Sequence, residues 1–233
     1  MSQPEGFLLV HKPRGMTSHD VVVVVRRKLG LKRVGHTGTL DPMAEGLLVV
    51  LVGPATKRQG ELQGHDKSYE ATLRLGTQTD TGDADGAPVR SAPVPPFDRP
   101  QLEAACRAFI GEVLQTPPAY SAVKIAGHPA YWWARRRQPV TLSPRTIRIS
   151  ALAPIGWTAD TVTFRAECSA GTYIRTLGEA IAEQLGTVGH LTRLIRLRVG
   201  SWRVDDAKPV SWLAEASPES VAGELRPVAP CAC

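Results

Sequence analysis

The sequence predicts an α+β fold on two observations. Segments that alternate apolar and polar residues outnumber helical stripes, and no helix recurs regularly between successive strands as a doubly wound sheet requires. The chain has 233 residues, 42% hydrophobic and 21% charged. A chain of this size can bury roughly 70% of the surface its unfolded form exposes, so a real core is expected. The same figures exclude a disordered, fibrous or disulfide-stapled protein. The longest apolar run, Leu47 to Val52, falls far short of the roughly 20 residues of a membrane span. Met1-Ser2-Gln3-Pro4-Glu5 lacks the basic-then-apolar pattern of a signal peptide.

In chain order, Phe7 to Val10 reads as a short strand that stops at the turn Lys12-Pro13-Arg14-Gly15. Val21 to Val25 is ambiguous. Five valines favour a strand, whereas Thr17, Ser18 and Asp20 before them are helix-start residues. Gly46 to Val52 reads as a buried strand. Tyr69 to Leu75 alternates, with Tyr69, Ala71, Leu73 and Leu75 on one face. Gly76 to Gly86 is turn-rich and acidic, and Pro88 to Pro100 is a connector. A helix follows, capped near Asp98, with Leu102, Ala105, Cys106, Phe109 and Ile110 on one stripe and Gly111 as its end. Residues 116–144 hold five prolines and little periodicity, which predicts a projecting basic loop. Strands follow at Ile147 to Ala151 and Val162 to Cys168. A helix then carries Ile174, Leu177, Ile181 and Leu185 and closes at Gly186, and Arg193 to Val199 alternates again.

The formal net charge is +6 and the sequence pI about 9.4, and the basic residues are clustered. Lys124, Arg135, Arg136, Arg137, Arg145 and Arg148 lie in a stretch without an acid, and Arg193, Arg196, Arg198 and Arg203 form a second cluster. Two separated basic clusters point to a polyanionic partner such as nucleic acid. Cys106 and Cys168 read as small core residues. Cys231-Ala-Cys233 has neither a histidine nor a second pair to support a metal. This cysteine usage fits a reducing cytoplasm.

The densest unusual segment is Gly35-His36-Thr37-Gly38-Thr39-Leu40-Asp41-Pro42. Proline after Asp41 holds that residue out of helical geometry, so a short carboxylate can project into a cleft. The alternative for Asp41 is a turn in which its carboxylate accepts backbone N–H bonds.

That segment resembles the catalytic motif of TruB-type tRNA pseudouridine synthases. Four further blocks agree in the same order. They are His11-Lys12-Pro13-Arg14-Gly15-Met16-Thr17-Ser18, Lys67-Ser68-Tyr69-Glu70, the run from Gly76 to Gly86, and Gly171-Thr172-Tyr173-Ile174-Arg175-Thr176. The resemblance covers roughly residues 6–228. It implies a pseudouridine synthase catalytic fold, a mixed and largely antiparallel central sheet flanked by helices and loops. It makes residues 1–228 one catalytic domain, with a basic RNA-clamping insertion at about 116–145. Residues 229–233 form a short tail where many bacterial members continue into a small RNA-binding domain.

The activity so implied is isomerisation of uridine-55 in the T loop of tRNA, with no cofactor and no metal, by a cytoplasmic monomer without membrane contact. By resemblance Asp41 is the nucleophile and Arg175 is paired with it. Tyr173 packs nearby, and Tyr69 stacks on the target uracil or moves protons. His36 fills the space of the flipped base, and Leu194 lines the uracil pocket. Lys12, Lys124, Arg135, Arg136 and Arg137 bind RNA, with Trp132 and Trp133 as stacking or packing groups. The chain departs from the family at His11, at the Trp132-Trp133 pair and at the arginine triplet. A non-enzymatic RNA-binding or folding protein is the rival from another class, and a synthase acting on another RNA is the third reading.

Overall fold

A computed structural model describes residues 4–228, so the reading of Cys231 and Cys233 lies outside the described residues. In chain order the strands and helices begin with β1 (Gly6–Lys12), α1 (Ser18–Leu29), β2 (Val34–His36), β3 (Glu45–Val52) and α2 (Gln59–Gln63). Next come β4 (Lys67–Leu75), β5 (Thr77–Thr79), β6 (Pro88–Ser91), α3 (Arg99–Arg107), β7 (Gly111–Gln115), β8 (Lys124–Ile125), β9 (His128–Pro129) and α4 (Ala130–Ala134). The chain continues with β10 (Arg145–Trp157), β11 (Thr161–Cys168), α5 (Ile174–Gln184) and β12 (Gly189–Val199). It closes with β13 (Trp202–Arg203), β14 (Lys208–Pro209), α6 (Val210–Glu215) and α7 (Pro218–Gly223).

The chain divides into two compact units. One is built from the segments up to Lys67 and from Ile195 onward; the other is Ser68–Leu194. In the first, β3 pairs antiparallel with β1 and β2 and parallel with β12, while β14 lies parallel to β1. The apolar run of β3 is explained by burial on both faces. Leu48, Val50 and Val52 pack with Val21, Val22 and Val25 of α1 and with Leu213 and Val221. Leu47, Val49 and Leu51 pack with Phe7, Leu9, Leu62 and Val199.

The ambiguous valine run is a helix. Thr17 accepts a hydrogen bond from the Asp20 N–H, Asp20 answers on the Thr17 N–H, and Gly30 closes the helix at φ 65°. Three of the valines are spaced to bury one face, which outweighs their weak helix propensity.

In the second unit the sheet order is β12-β4-β11-β10-β7, and β5 pairs separately with β6. β10 is antiparallel to both β11 and β7. Two expectations are corrected here. The helix after Asp98 ends at Arg107, because Gly111 at φ +112° enters β7, whose pairing with β10 takes up the backbone groups. Residues 116–144 are not a plain loop. They contain the β8–β9 hairpin, turned through Ala126 and Gly127 at φ 48° and 84°, and then α4.

Candidate active site

Asp41 sits half-buried between Leu40, which is buried, and exposed Pro42, with Met43 and Ala44 buried just beyond. The backbone carrying it is held residue by residue. The Gly38 and Thr39 carbonyls accept hydrogen bonds from the Arg196 guanidinium at 3.1 and 3.4 Å. The Leu40 carbonyl accepts from the Ser18 hydroxyl at 3.1 Å, and the Leu40 N–H donates back to that hydroxyl at 2.8 Å. The Asp41 carbonyl accepts from the Ala44 N–H at 3.1 Å. The Pro42 carbonyl accepts from the Gly15 N–H at 2.8 Å and the Lys12 ammonium at 3.4 Å. Five consecutive carbonyls are thus engaged. A loop so anchored presents its one carboxylate with little freedom left to lose on binding, the general requirement for a preorganised reactive group.

Lys12 is placed differently from the RNA-binding expectation. It is fully buried, and its ammonium donates to the carbonyls of Pro13, Met16 and Pro42. Burial pushes its pKa down to about 8, opposed chiefly by the nearby Asp41 carboxylate. Above pH 8 the neutral amine keeps two of its three donors. The expected result is that the rate of the reaction the resemblance implies falls as pH passes 8, as the Pro42 strap slackens. Stability moves the other way. Between 8 and the ordinary 10.5 the unfolded chain holds a proton that the folded chain has released, so this group makes stability rise with pH over that window. Single-turnover rates and urea midpoints taken from pH 7 to 10 check both signs.

His36 ends β2 and is half-buried, with Nδ1 buried and without a hydrogen-bond partner. Burial, the Arg196 charge and then His19 all depress its pKa, so the ring is neutral. A neutral, partly sheltered imidazole suits a filling role better than charge-based chemistry.

In the second unit, Tyr69 is buried near the start of β4 and Leu194 is buried on β12. Tyr173 caps α5, and its backbone is clasped by the buried Gln115 amide. The Tyr173 N–H donates to Gln115 at 2.8 Å, and Gln115 donates to the Tyr173 carbonyl at 3.0 Å. Arg175 is 3% exposed, which excludes an ordinary surface helix residue. Its guanidinium donates to the Thr81 carbonyl and, at 2.8 Å, to the Tyr120 carbonyl, with Asp83 at 3.7 Å. Asp83 is itself fixed by the Thr81 hydroxyl at 2.6 Å and the Asp85 N–H at 3.1 Å. The acidic turn-rich run therefore builds a socket for Arg175.

Lys124 and Arg135 to Arg137 are exposed. Trp132 is stacked on His128 with centroids 4.2 Å apart and planes 12° from parallel, and the Arg136 guanidinium lies 3.5 Å from the same ring centre. Two groups so close to one ring cannot share a face, so both faces of Trp132 are covered and no face is left for a base. Trp133 donates its indole N–H to the Ile125 carbonyl at 3.2 Å. Both tryptophans therefore pack the insertion. Arg196, counted from sequence in a surface basic cluster, is instead 2% exposed.

Sequence reasoning missed Ser18, Gln115, Asp83 and the buried role of Arg196. Of these, Asp83 and Ser18 lay inside recognised blocks, a signal that was available. Among the described residues no group of three or more His, Cys, Asp or Glu is placed to hold a metal, and no helix is long and apolar enough to cross a membrane.

Comparison with known proteins places the chain in a family. Residues 26–174 match the N-terminal domain of the TruB family of pseudouridylate synthases. The tRNA pseudouridine synthase B of Aromatoleum aromaticum is 46% identical over 224 residues, 96% of this chain and 72% of the relative. That of Opitutus terrae is 45% identical over 203 residues, 87% of this chain and 84% of the relative. Among solved structures, a chain of a Cbf5–Nop10–Gar1 complex superposes with a TM-score of 0.72 at 27% identity, over 97% of this chain and 60% of that one. An H/ACA ribonucleoprotein bound to a substrate RNA containing 2′-deoxyuridine gives 0.68 at 25% identity, over 95% of this chain and 59% of that one. The chain thus spans about 60% of the solved chains it resembles. With a family model matched over most of its length and relatives about 45% identical that it covers to 72% and 84%, the chain belongs to the TruB family of pseudouridylate synthases.

Proposed function

We propose that the protein isomerises uridine-55 in the T loop of tRNA to pseudouridine, with Asp41 as nucleophile. The observation that carries this reading is the Asp41 loop, a family motif held by hydrogen bonds to five consecutive carbonyls. In the reaction the N1–C1′ bond breaks, the uracil turns, and C5 joins C1′. C5 loses its hydrogen to solvent and N1 gains one, so atoms and electrons balance within the substrate and water. Flipping the uridine out of a folded loop costs a few kcal/mol, and His36 fills the vacated space. Tyr69 stacks on the extruded uracil beside Leu194 and Tyr173. A phenol with an ordinary pKa near 10 is a poor base at neutral pH, which favours the stacking role. The family resemblance makes Arg175 the arginine that pairs with the nucleophile. Lys12 acts by holding the loop. Lys124 and the arginine triplet, chiefly Arg135 and Arg137, neutralise phosphates of the T arm, and the enzyme works as a cytoplasmic monomer.

The insertion makes a quantitative prediction. All three arginines are exposed, but the Arg136 guanidinium lies 3.5 Å from the Trp132 ring centre and is held there, whereas that of Arg135 stands 5.4 Å from the Tyr131 ring centre and is the freer to reach a phosphate, as is Arg137. Replacing all three with glutamine is expected to lower the log–log salt slope of tRNA binding by about 2 units. An unchanged slope returns the triplet to a merely solvated face.

The decisive experiment uses a T-arm hairpin tritiated at C5 of the target uridine. Forming the C5–C1′ bond must expel that label. The expected result is release to water in the presence of a chelator and without added cofactor, and none from a hairpin with cytidine at that position. Tight binding without release would instead identify an RNA-binding protein, and release that demands an added metal would overturn the mechanism.

A further inference from the structure

We propose that Arg196 is the positioning residue for the nucleophile, fixing where the Asp41 carboxylate stands relative to the reacting sugar and base. This rests on the reading of Asp41 given above.

The placement begins with the backbone. β12 runs parallel to β3, with Ile195 opposite Glu45 and Arg196 opposite Gly46. Gly46 has φ +106°, and a Cβ built on it would lie 2.4 Å from the Arg196 carbonyl oxygen. Only glycine lets the two strands close at this point. The Arg196 side chain then reaches the loop. Its Nε donates to the Leu47 carbonyl at 2.7 Å, and its two terminal nitrogens donate to the Thr39 and Gly38 carbonyls at 3.4 and 3.1 Å. These acceptors flank Asp41 on both sides in sequence. One planar, rigid fork therefore spans the base of the loop and fixes its width. Lys12 does not do this, because its partners are Pro13, Met16 and Pro42.

The chemistry of the contact argues against a packing role. The Arg196 hydrogen bonds go to three neutral carbonyls, and burying a cation on such terms is costly. An apolar side chain would fill the same volume but leave three carbonyls without their donors. Its charge is also felt locally, since Arg196 disfavours the protonated forms of both Lys12 and His36. Arg196 thus supplies geometry and a positive potential at one loop while being shielded from solvent, which excludes phosphate binding.

The test compares wild type, Arg196→Lys and Arg196→Ala in tritium release, under single turnover with saturating hairpin, together with hairpin affinity and thermal melting. Lysine keeps charge and approximate volume but loses the fork. Arg196→Lys is expected to bind the hairpin within about threefold of wild type and to react about 100-fold more slowly, as for a small misplacement of a reacting group. Added guanidinium below denaturing concentration is expected to restore Arg196→Ala by about tenfold or more, whereas methylammonium does not. The proposal is overturned if Arg196→Lys reacts at the wild-type rate. It is also overturned if its loss lies in affinity alone, or if the loss disappears at temperatures where the variant is fully folded. Should Arg196→Ala fail to fold, the Arg196→Lys rate decides. Wild type that releases no tritium defeats the proposed reaction itself, which keeps that failure separate from the failure of Arg196 in an active enzyme.

Discussion

Asp41→Asn is expected to abolish isomerisation while leaving tRNA binding within roughly tenfold, about 1.4 kcal/mol. The substitution is nearly isosteric, and the loop's backbone anchors, the five carbonyls and the Leu40 N–H, are left in place by asparagine. What disappears is the charge and the attacking oxygen. Removing a nucleophile outright costs enzymes on the order of 10⁴- to 10⁶-fold in rate, so tritium release should fall to background. Substantial turnover by a variant free of wild-type enzyme would show that the carboxylate is not the nucleophile. Lost binding would show that the loop had collapsed instead.

Gly46→Ala is the second large effect, and it acts through the frame. The new Cβ meets the Arg196 carbonyl oxygen at 2.4 Å and the Arg196 nitrogen at 2.8 Å, both backbone atoms, at φ +106°. Backbone strain of about 1–3 kcal/mol adds to a comparable overpacking cost, giving about 2–6 kcal/mol against a total stability of about 5–15. Gly30→Ala is the matched control. It also sits at positive φ, 65°, but a Cβ there meets nothing within 4 Å, so only about 1 kcal/mol should be lost. Urea unfolding of both variants measures the difference. Equal losses would mean that β3 and β12 do not close at Gly46.

The site was legible where chemistry lies in a contiguous motif, and obscure where it lies in pairings across the chain. Asp41, its proline and its glycines announce themselves within eight residues. Arg196 does not, because an arginine in an alternating strand reads as solvent-facing, and its acceptors at Gly38 and Thr39 lie 158 and 157 residues away. Lys12 is hidden for another reason: its acceptors Pro13, Met16 and Pro42 lie only 1, 4 and 30 residues away, but a lysine opening a basic turn reads as solvent-facing until the turn folds over it. Arg175 was found by its motif, but its Asp83 socket was not, since three nearby aspartates look alike until the turn is folded. The valine run could not be assigned by propensity, because capping at Thr17 and burial against β3 decide it together. The helix after Asp98 was read too long because Phe109 and Ile110 continue its apolar stripe after the backbone has left it. The tryptophan pair was open to stacking roles until the ring faces of Trp132 proved to be taken by His128 and Arg136, an i, i+4 arrangement that only a formed α4 and hairpin create.

The clamp on the nucleophile loop also sets an order of events during synthesis. The carbonyls of Gly38 and Thr39 emerge early, and their donor belongs to a strand made 157 residues later than Thr39. At roughly 5–20 residues per second the guanidinium follows the loop by about ten to thirty seconds. The contiguous unit Ser68–Leu194 is complete before the other can close. A nascent chain therefore carries its reactive aspartate on a loop still missing that donor, and competence for catalysis waits until that strand has been made.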